Sequence, residues 1–222
     1  MPHDVIVTKD GTVWYTDFGS QYIGSLDPKT GKVTDYAVPT LKPDAPKGLL
    51  ELKTDEDGNL WASMMYQAGV AMLNVKTKKV TAYPLPKEWQ SGTTQESMVS
   101  PSNWKVDGYV WTNNQEDHSI LRLNVKTGKY ENLGVLKDQN GNTINGYDIP
   151  TDKENNLFLL EFGGTKIGRI DAKTKKLTTW NTPIPNARPR RGHFDENGNL
   201  WFAEYGGNAV GMFDPETSAI KE

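Results

Sequence analysis

The chain has 222 residues, 24% of them charged and 10% aromatic, with a formal net charge of −3. That composition excludes a disordered chain and argues against nucleic acid as a partner. There is no cysteine, hence no disulfide or thiolate metal site, and no apolar run long enough to span a membrane.

The opening "PHDVIV" reads as a strand, "KDGT" as a turn, and "VWYTDF", "YIGSLD" and "KVTDYAV" as three further strands, the last two joined by "PKTG". Asp-Gly and Asn-Gly turns suit hairpins because both residues tolerate positive φ. Val, Ile, Trp, Tyr and Thr suit a pleated, largely buried surface. The same pattern returns as "DEDGNLWASMMY", "VDGYVWTNNQ", "KENNLFLLEFG" and "DENGNLWFAEYG". Its anchors are Trp14, Trp61, Trp111, Phe158 and Trp201, spaced 47, 50, 47 and 43 residues apart. Repeats of that length, each made of four strands, predict an all-β β-propeller. Five blades are expected, at about 1–40, 41–86, 87–136, 137–185 and 186–222, in one domain that is part of a larger ring. Tandem sandwiches would need longer and less regular spacing. Open blade faces would expose apolar sheets and favour self-association.

With the first turn centred near Asp10, His3 is expected opposite Asp17 or Phe18. The same two slots can be followed from blade to blade. The acid slot holds Asp17, Met64, Asn114, Glu161 and Glu204, and the histidine slot holds His3, Lys47, Ser97, Tyr147 and Arg190. Asp17, Asn114, Glu161 and Glu204 are hard oxygen ligands of the kind that Mg²⁺ or Ca²⁺ accepts. His3, Tyr147 and Arg190 are the catalytic candidates at the same loop end, where a small-molecule ligand would enter a channel mouth. Cross-strand pairing, Arg190 with Glu204 and Tyr147 with Glu161, is the plainer structural expectation. "RPRR" at 188–191 is suited to an anion, His118 to a solvated turn, and His193 to packing or channel lining.

The first unit, "PHDVIVTKDGTVWYTDFGSQYIGSLDPKTGKVTDYAVP", resembles a blade of the virginiamycin B lyase (streptogramin lyase) family. The likeness is carried by P-H-x-[VI], DG-x-[VIL]-W-[FY]-x-[DE] and IG-x-[LI]-D, and it extends along the chain. It implies a seven-bladed ring and a Mg²⁺-dependent C–O lyase that opens a cyclic depsipeptide ester by elimination. His3 would match a family histidine, Asp17 and Glu204 the acid position, and Arg190 stands where the fifth unit would carry histidine. Two alternatives remain: a non-catalytic propeller that binds a ligand or a protein, and a metal-dependent lactonase using Asn114, Glu161 and Glu204. A module of a longer extracytoplasmic protein, periplasmic or secreted, is the expected setting, although "MPHDVIV" has no leader character.

Overall fold

Short runs of β-branched and aromatic residues punctuated by Asp-x-x-Gly and Asx turns favour strands, and among the described residues the helical content is one 3-10 turn at Lys87–Trp89. The structure, a computed structural model, describes residues 1–90 and 96–222, with the side chains of 96 and 97 outside the described set. The first sheet pairs β1 (Pro2–Val7), β2 (Val13–Asp17), β3 (Tyr22–Leu26) and β4 (Val33–Ala37) in simple up-and-down order. The second repeats it with β5 (Leu52–Thr54), β6 (Leu60–Met64), β7 (Gly69–Leu73) and β8 (Val80–Pro84). The third consists of β9 (Glu96–Pro101), β10 (Tyr109–Asn114), β11 (Ser119–Asn124) and β12 (Lys129–Val135). Then come β13 (Leu157–Leu160), β14 (Lys166–Ile170) and β15 (Leu177–Asn181). The last sheet holds β16 (Pro189–Phe194), β17 (Leu200–Glu204), β18 (Ala209–Asp214) and β19 (Ala219–Lys221).

The turns are closed by side chains as well as backbone. In the second blade Asp55 Oδ1 accepts the N–H groups of Asp57 and Asn59 at 3.0 and 2.8 Å. Glycine is not essential in the outer turns. Gly31 and Gly128 take a left-handed φ of 69° there, but Lys78 and Lys175 hold the same turn at 60° and 63°. The Asx bonds from Asn74 and Asp171 support that conformation.

The chain divides into two compact units, residues 1–117 with 121–131 and residues 118–120 with 132–222. In the first unit Trp14, Ile23, Leu49, Leu52, Leu60, Met64 and their neighbours form one core, and Trp61, Val70, Val99, Val110 and Leu123 form another. Each core contains residues from two successive sheets, so a blade is buried by the one that follows it. In the second unit Phe158, Leu160 and Ile167 pack against Leu200, Phe202 and Phe213 in the same manner.

The fourth blade departs from the expected four strands. Its innermost segment is reduced to two bridges, Asp148↔Leu160 and Thr151↔Leu157. Pro150 between them has no N–H to give a ladder, although its carbonyl still accepts from Phe158 at 2.8 Å. The repeat aromatics Trp14, Trp61, Trp111 and Phe158 are buried, whereas Trp201 is 45% exposed, on a face shared with exposed Val210. Among the described residues no helix is long and apolar enough to cross a membrane.

Candidate functional site

The innermost strands carry one backbone device three times. Register slips by one residue between Pro2 and Val5, between the partners of Thr112 and Asn114, and between Pro189 and Gly192. A bulge of this kind re-aims the side chains it contains. In the first blade it holds His3 and Asp4, and in the fifth Arg190 and Arg191. In both, the residue opposite the slot acid is a proline: Pro2 faces Asp17 and Pro189 faces Glu204. His3 and Arg190 are thereby moved out of register with the acids.

In the first unit the His3 ring lies against Phe18, with centroids 5.7 Å apart, so of its two expected partners it takes the aromatic one. Its Nδ1 is 3.1 Å from Asp4 Oδ1. The other oxygen of Asp4 accepts the Leu52 N–H of the next blade at 3.2 Å. Glu51 repeats this staple, accepting from Val99 at 3.4 Å. The equivalence is seen from the bulge amides as well. Asp4 N–H donates to Thr16 Oγ1 and Glu51 N–H to Ser63 Oγ. Leu50, not Lys47, therefore occupies the histidine slot of the second blade. The intervening loop is drawn in by Gly48, whose Cβ position would lie 2.3 Å from the Phe18 carbonyl oxygen, so no larger residue fits. Met98 N–H donates in turn to Asn113 Oδ1, which places position 97 in the slot of the third blade, as expected; the Ser97 side chain is outside the described residues.

Asp17 is buried and already engaged. It accepts from the Met1 amino group, from Gly19 N–H at 2.8 Å and from the Tyr22 hydroxyl at 3.4 Å. The amino group holds its carboxyl below the usual range despite burial. Asn114 Oδ1 closes an Asx turn on Glu116 N–H at 2.9 Å. Phe18 also meets Tyr66 edge-on at 6.4 Å. Tyr66 lines a cleft of about 490 Å³ with residues 41–46. Buried Gln67 shapes that loop, taking the N–H groups of Leu41 and Lys42 on its oxygen and reaching three carbonyls with its amide nitrogen.

In the second unit the expected cross-strand pairs are replaced. Arg190 Nη2 donates to the Tyr147 hydroxyl at 3.2 Å, so neither Arg190–Glu204 nor Tyr147–Glu161 forms. The bulge after Pro189 is the cause, since it turns Arg190 away from Glu204. Asp148 provides the staple here, accepting from Gly192 N–H at 2.9 Å. Glu161 is raised above the usual carboxylate range by burial, which the Lys166 charge only partly offsets. Both Glu204 oxygens are buried and receive no hydrogen bond. Burial, and then the neighbouring Glu222 carboxyl, push Glu204 up to about 7. His193 stands across from Trp201 and is exposed. His118 has φ 60° in an exposed turn, as expected.

Among the described residues no three His, Asp or Glu side chains gather closely enough to enclose a metal ion. Of the four candidate ligands, Glu204 has the uncommitted oxygens that a divalent cation needs, while Asp17 and Asn114 are used by protein donors. A Mg²⁺ ion is commonly held by one or two carboxylates plus water and substrate; both Glu204 oxygens are buried, so that mode would require them to open to solvent. The sequence reading missed the stapling acids Asp4, Glu51 and Asp148. Their signal was an acid directly after the histidine slot in the first, second and fourth blades, where Met98 and Arg191 stand in the third and fifth.

The model of the virginiamycin B lyase family matches residues 1–222. A selenomethionine virginiamycin B lyase from Staphylococcus aureus superposes with a TM-score of 0.75 at 24% identity, covering 98% of this chain and 67% of that one. A streptogramin B lyase gives 0.75 at 27% identity, over 98% and 66%. A catalytically inactive histidine-to-alanine variant of the S. aureus enzyme, with quinupristin, gives 0.75 at 24%, over 100% and 69%. The chain thus spans about two thirds of the length of these proteins, and its fold is a β-propeller. No curated protein sequence matches significantly.

Proposed function

The chain belongs to the virginiamycin B lyase family, and on that premise we propose that its first blade carries a base for carbon–oxygen lyase chemistry on a cyclic depsipeptide ester. The observation that supports this reading is the His3–Asp4 pair on the β1 bulge. Asp4 Oδ1 lies 3.1 Å from Nδ1, no protein group among the described residues is bonded to Nε2, and the Phe18 ring lies against the imidazole. Asp4 is itself tied to Leu52 N–H, so its carboxylate is kept beside the imidazole.

In the reaction, His3 Nε2 takes the proton from the carbon next to a carbonyl. The released electron pair forms a C=C bond as the adjacent C–O bond breaks, and the ester oxygen leaves as a carboxylate. The ring opens and no water is consumed. Asp4 stabilises the imidazolium that forms. Glu204 is the slot carboxylate with no protein donor; Mg²⁺, were it held there once the side chain opened, would supply Lewis-acid polarisation of a carbonyl oxygen.

Quinupristin with Mg²⁺, followed by mass spectrometry, tests the reading. A linear product of unchanged mass is expected, and His3→Ala should slow its formation by about 10²–10⁴-fold. Intact compound, or turnover that survives His3→Ala, overturns the proposal. A product one water heavier would instead mean hydrolysis, the lactonase alternative. Binding without catalysis is the second reading. Leu50, Tyr147 and Arg190 at the imidazole position favour it, and saturable quinupristin binding with no product would establish it.

A further inference from the structure

The second unit concentrates positive charge where the repeat elsewhere places polar or apolar residues. The Arg188 guanidinium lies 4.4 Å from the Phe162 ring centroid and 5.3 Å from that of Tyr205. Arg190 lies 5.0, 5.2 and 5.7 Å from the centroids of Tyr147, Phe162 and Tyr205. Arg191 is 5.6 Å from Tyr147. The rings support one another, with Tyr147–Phe162 and Phe162–Tyr205 centroids 5.3 and 5.4 Å apart.

Among the described residues neither Arg188 nor Arg190 forms an ion pair with a carboxylate. Arg188 Nε donates to the Phe162 carbonyl at 3.1 Å, and Arg190 bonds only the Tyr147 hydroxyl, its buried Nε having no partner. An aromatic ring orients a guanidinium without cancelling its charge, whereas a carboxylate does both. The two guanidiniums are thus held in position with their charge and most of their N–H donors unspent. Like charges gathered in this way repel, and among the described residues no carboxylate lies within ion-pair distance of Arg188 or Arg190. The backbone is committed to the arrangement too. Arg188 has φ 54°, held by Gly164 O on one side and Tyr205 N–H on the other. Gly206 permits that approach, since a Cβ there would fall 2.1 Å from the Asn186 carbonyl oxygen.

We propose that Arg188 and Arg190, mounted on Tyr147, Phe162 and Tyr205, form a binding site for the oxyanion group of a small molecule, a carboxylate or a phosphate. The guanidinium fork matches both groups through paired N–H donors. Tyr205 is 61% exposed beside the arginines, and its free ring surface gives an aromatic or cyclic body something to stack on. The site lies wholly in the second unit and does not depend on His3 chemistry, so either proposal can fail without the other.

Calorimetric titration of the whole chain at low salt with inorganic phosphate, acetate and benzoate tests it. Saturable binding of at least one is expected, weakened about tenfold or more by Arg190→Gln or Arg188→Gln. Phosphate alone would identify a phosphate site; benzoate tighter than acetate would identify an aromatic carboxylate site. Arg190→Lys, which keeps the charge but loses the fork, should bind with intermediate affinity. No saturation with any of the three overturns the proposal, as does equal binding by the wild type and a folded Arg188→Gln/Arg190→Gln double variant. Phe162→Leu provides a check independent of charge: weakened binding with an unchanged unfolding midpoint supports the ring-mounted site, and unchanged binding contradicts it.

Discussion

Blades one and five use the same two devices and fill them differently. Each has a bulge on its innermost strand after a proline that faces the slot acid, and each has a tryptophan on its second strand. In blade one the bulge presents an imidazole backed by a carboxylate, and Trp14 is buried. In blade five the bulge presents two guanidiniums, of which Arg190 rests on three rings, and Trp201 is half exposed. The backbone is set by turns, proline and register, so it survives wholesale change in the side chains it displays. Chemistry at the loop ends can therefore diverge from blade to blade while the propeller stays the same.

The largest expected effect tests whether the two bulges really differ in kind. Given lyase turnover, His3→Ala should remove about 10²–10⁴-fold of the rate with KM little changed, while Arg190→Gln leaves the proton-transfer step alone. Asp4→Asn should lower kcat less and alter the pH profile, because Asp4 positions the imidazole and does not touch substrate. Equal losses in kcat from His3→Ala and Arg190→Gln would mean that both bulges serve one step.

Burial of the repeat aromatic comes next. Trp14 is 2% exposed, tilted against Tyr36 at 5.6 Å and under Lys78 Nζ at 5.0 Å. Trp14→Ala should cost about 3–5 kcal/mol in chemical denaturation. Its buried Nε1 has no hydrogen-bond partner, so Trp14→Phe should cost much less, about 1 kcal/mol. At Trp61, whose Nε1 donates to Asp55 at 2.9 Å, the phenylalanine variant should cost more, because it also removes that hydrogen bond.

The difference in slot acids gives a smaller, pH-dependent effect. Glu204 is raised from 4.5 to about 7 in the folded protein, first by burial and then by Glu222. The folded state thus binds this proton more tightly than the unfolded chain. The stability it brings is complete below about pH 4.5 and is lost as pH rises through about 7, a change on the order of 1–3 kcal/mol. The unfolding midpoint should fall between pH 5 and 8, and Glu204→Gln should flatten most of that slope, with Glu161 contributing the rest in the same direction. At pH 8 millimolar Mg²⁺ should raise the midpoint of the wild type and not that of Glu204→Gln. An equal rise in both would place the ion elsewhere.

The repeat made the fold readable. Aromatic anchors at regular spacing, with Asp-Gly and Asn-Gly turns before them, locate the strands because hairpin register follows from turn chemistry. The first hairpin pairs Val5 with Tyr15 and Val7 with Val13, as a turn centred near Asp10 requires. What the sequence did not reveal lies beyond the bulges. A single slipped residue turned Arg190 from Glu204 to Tyr147, and no local pattern announces the slip. Lys47 was misplaced for a related reason. The loop before β5 is organised by Gln67, 20 or more residues away, so counting back from the turn could not find Leu50. The aromatic support of the arginines was equally hidden, since Tyr147, Phe162 and Tyr205 come from three separate segments.

The smallest effect expected of the chain as it stands is at Trp201. Its Nε1 donates to Asp195 at 2.9 Å, as Trp61 does to Asp55, so its own blade places it correctly. At 45% exposure it lacks the covering that Trp14 has. Trp201→Ala should therefore cost only about 1 kcal/mol, and the release of Asp195 should raise that carboxyl, which the indole N–H holds at about 2. A loss as large as that for Trp14→Ala would mean that the Trp201 face is covered in solution. Self-association through the open face would account for it, because a partner bound only to the folded state raises its stability. The wild-type midpoint would then climb with protein concentration and the Trp201→Ala midpoint would not.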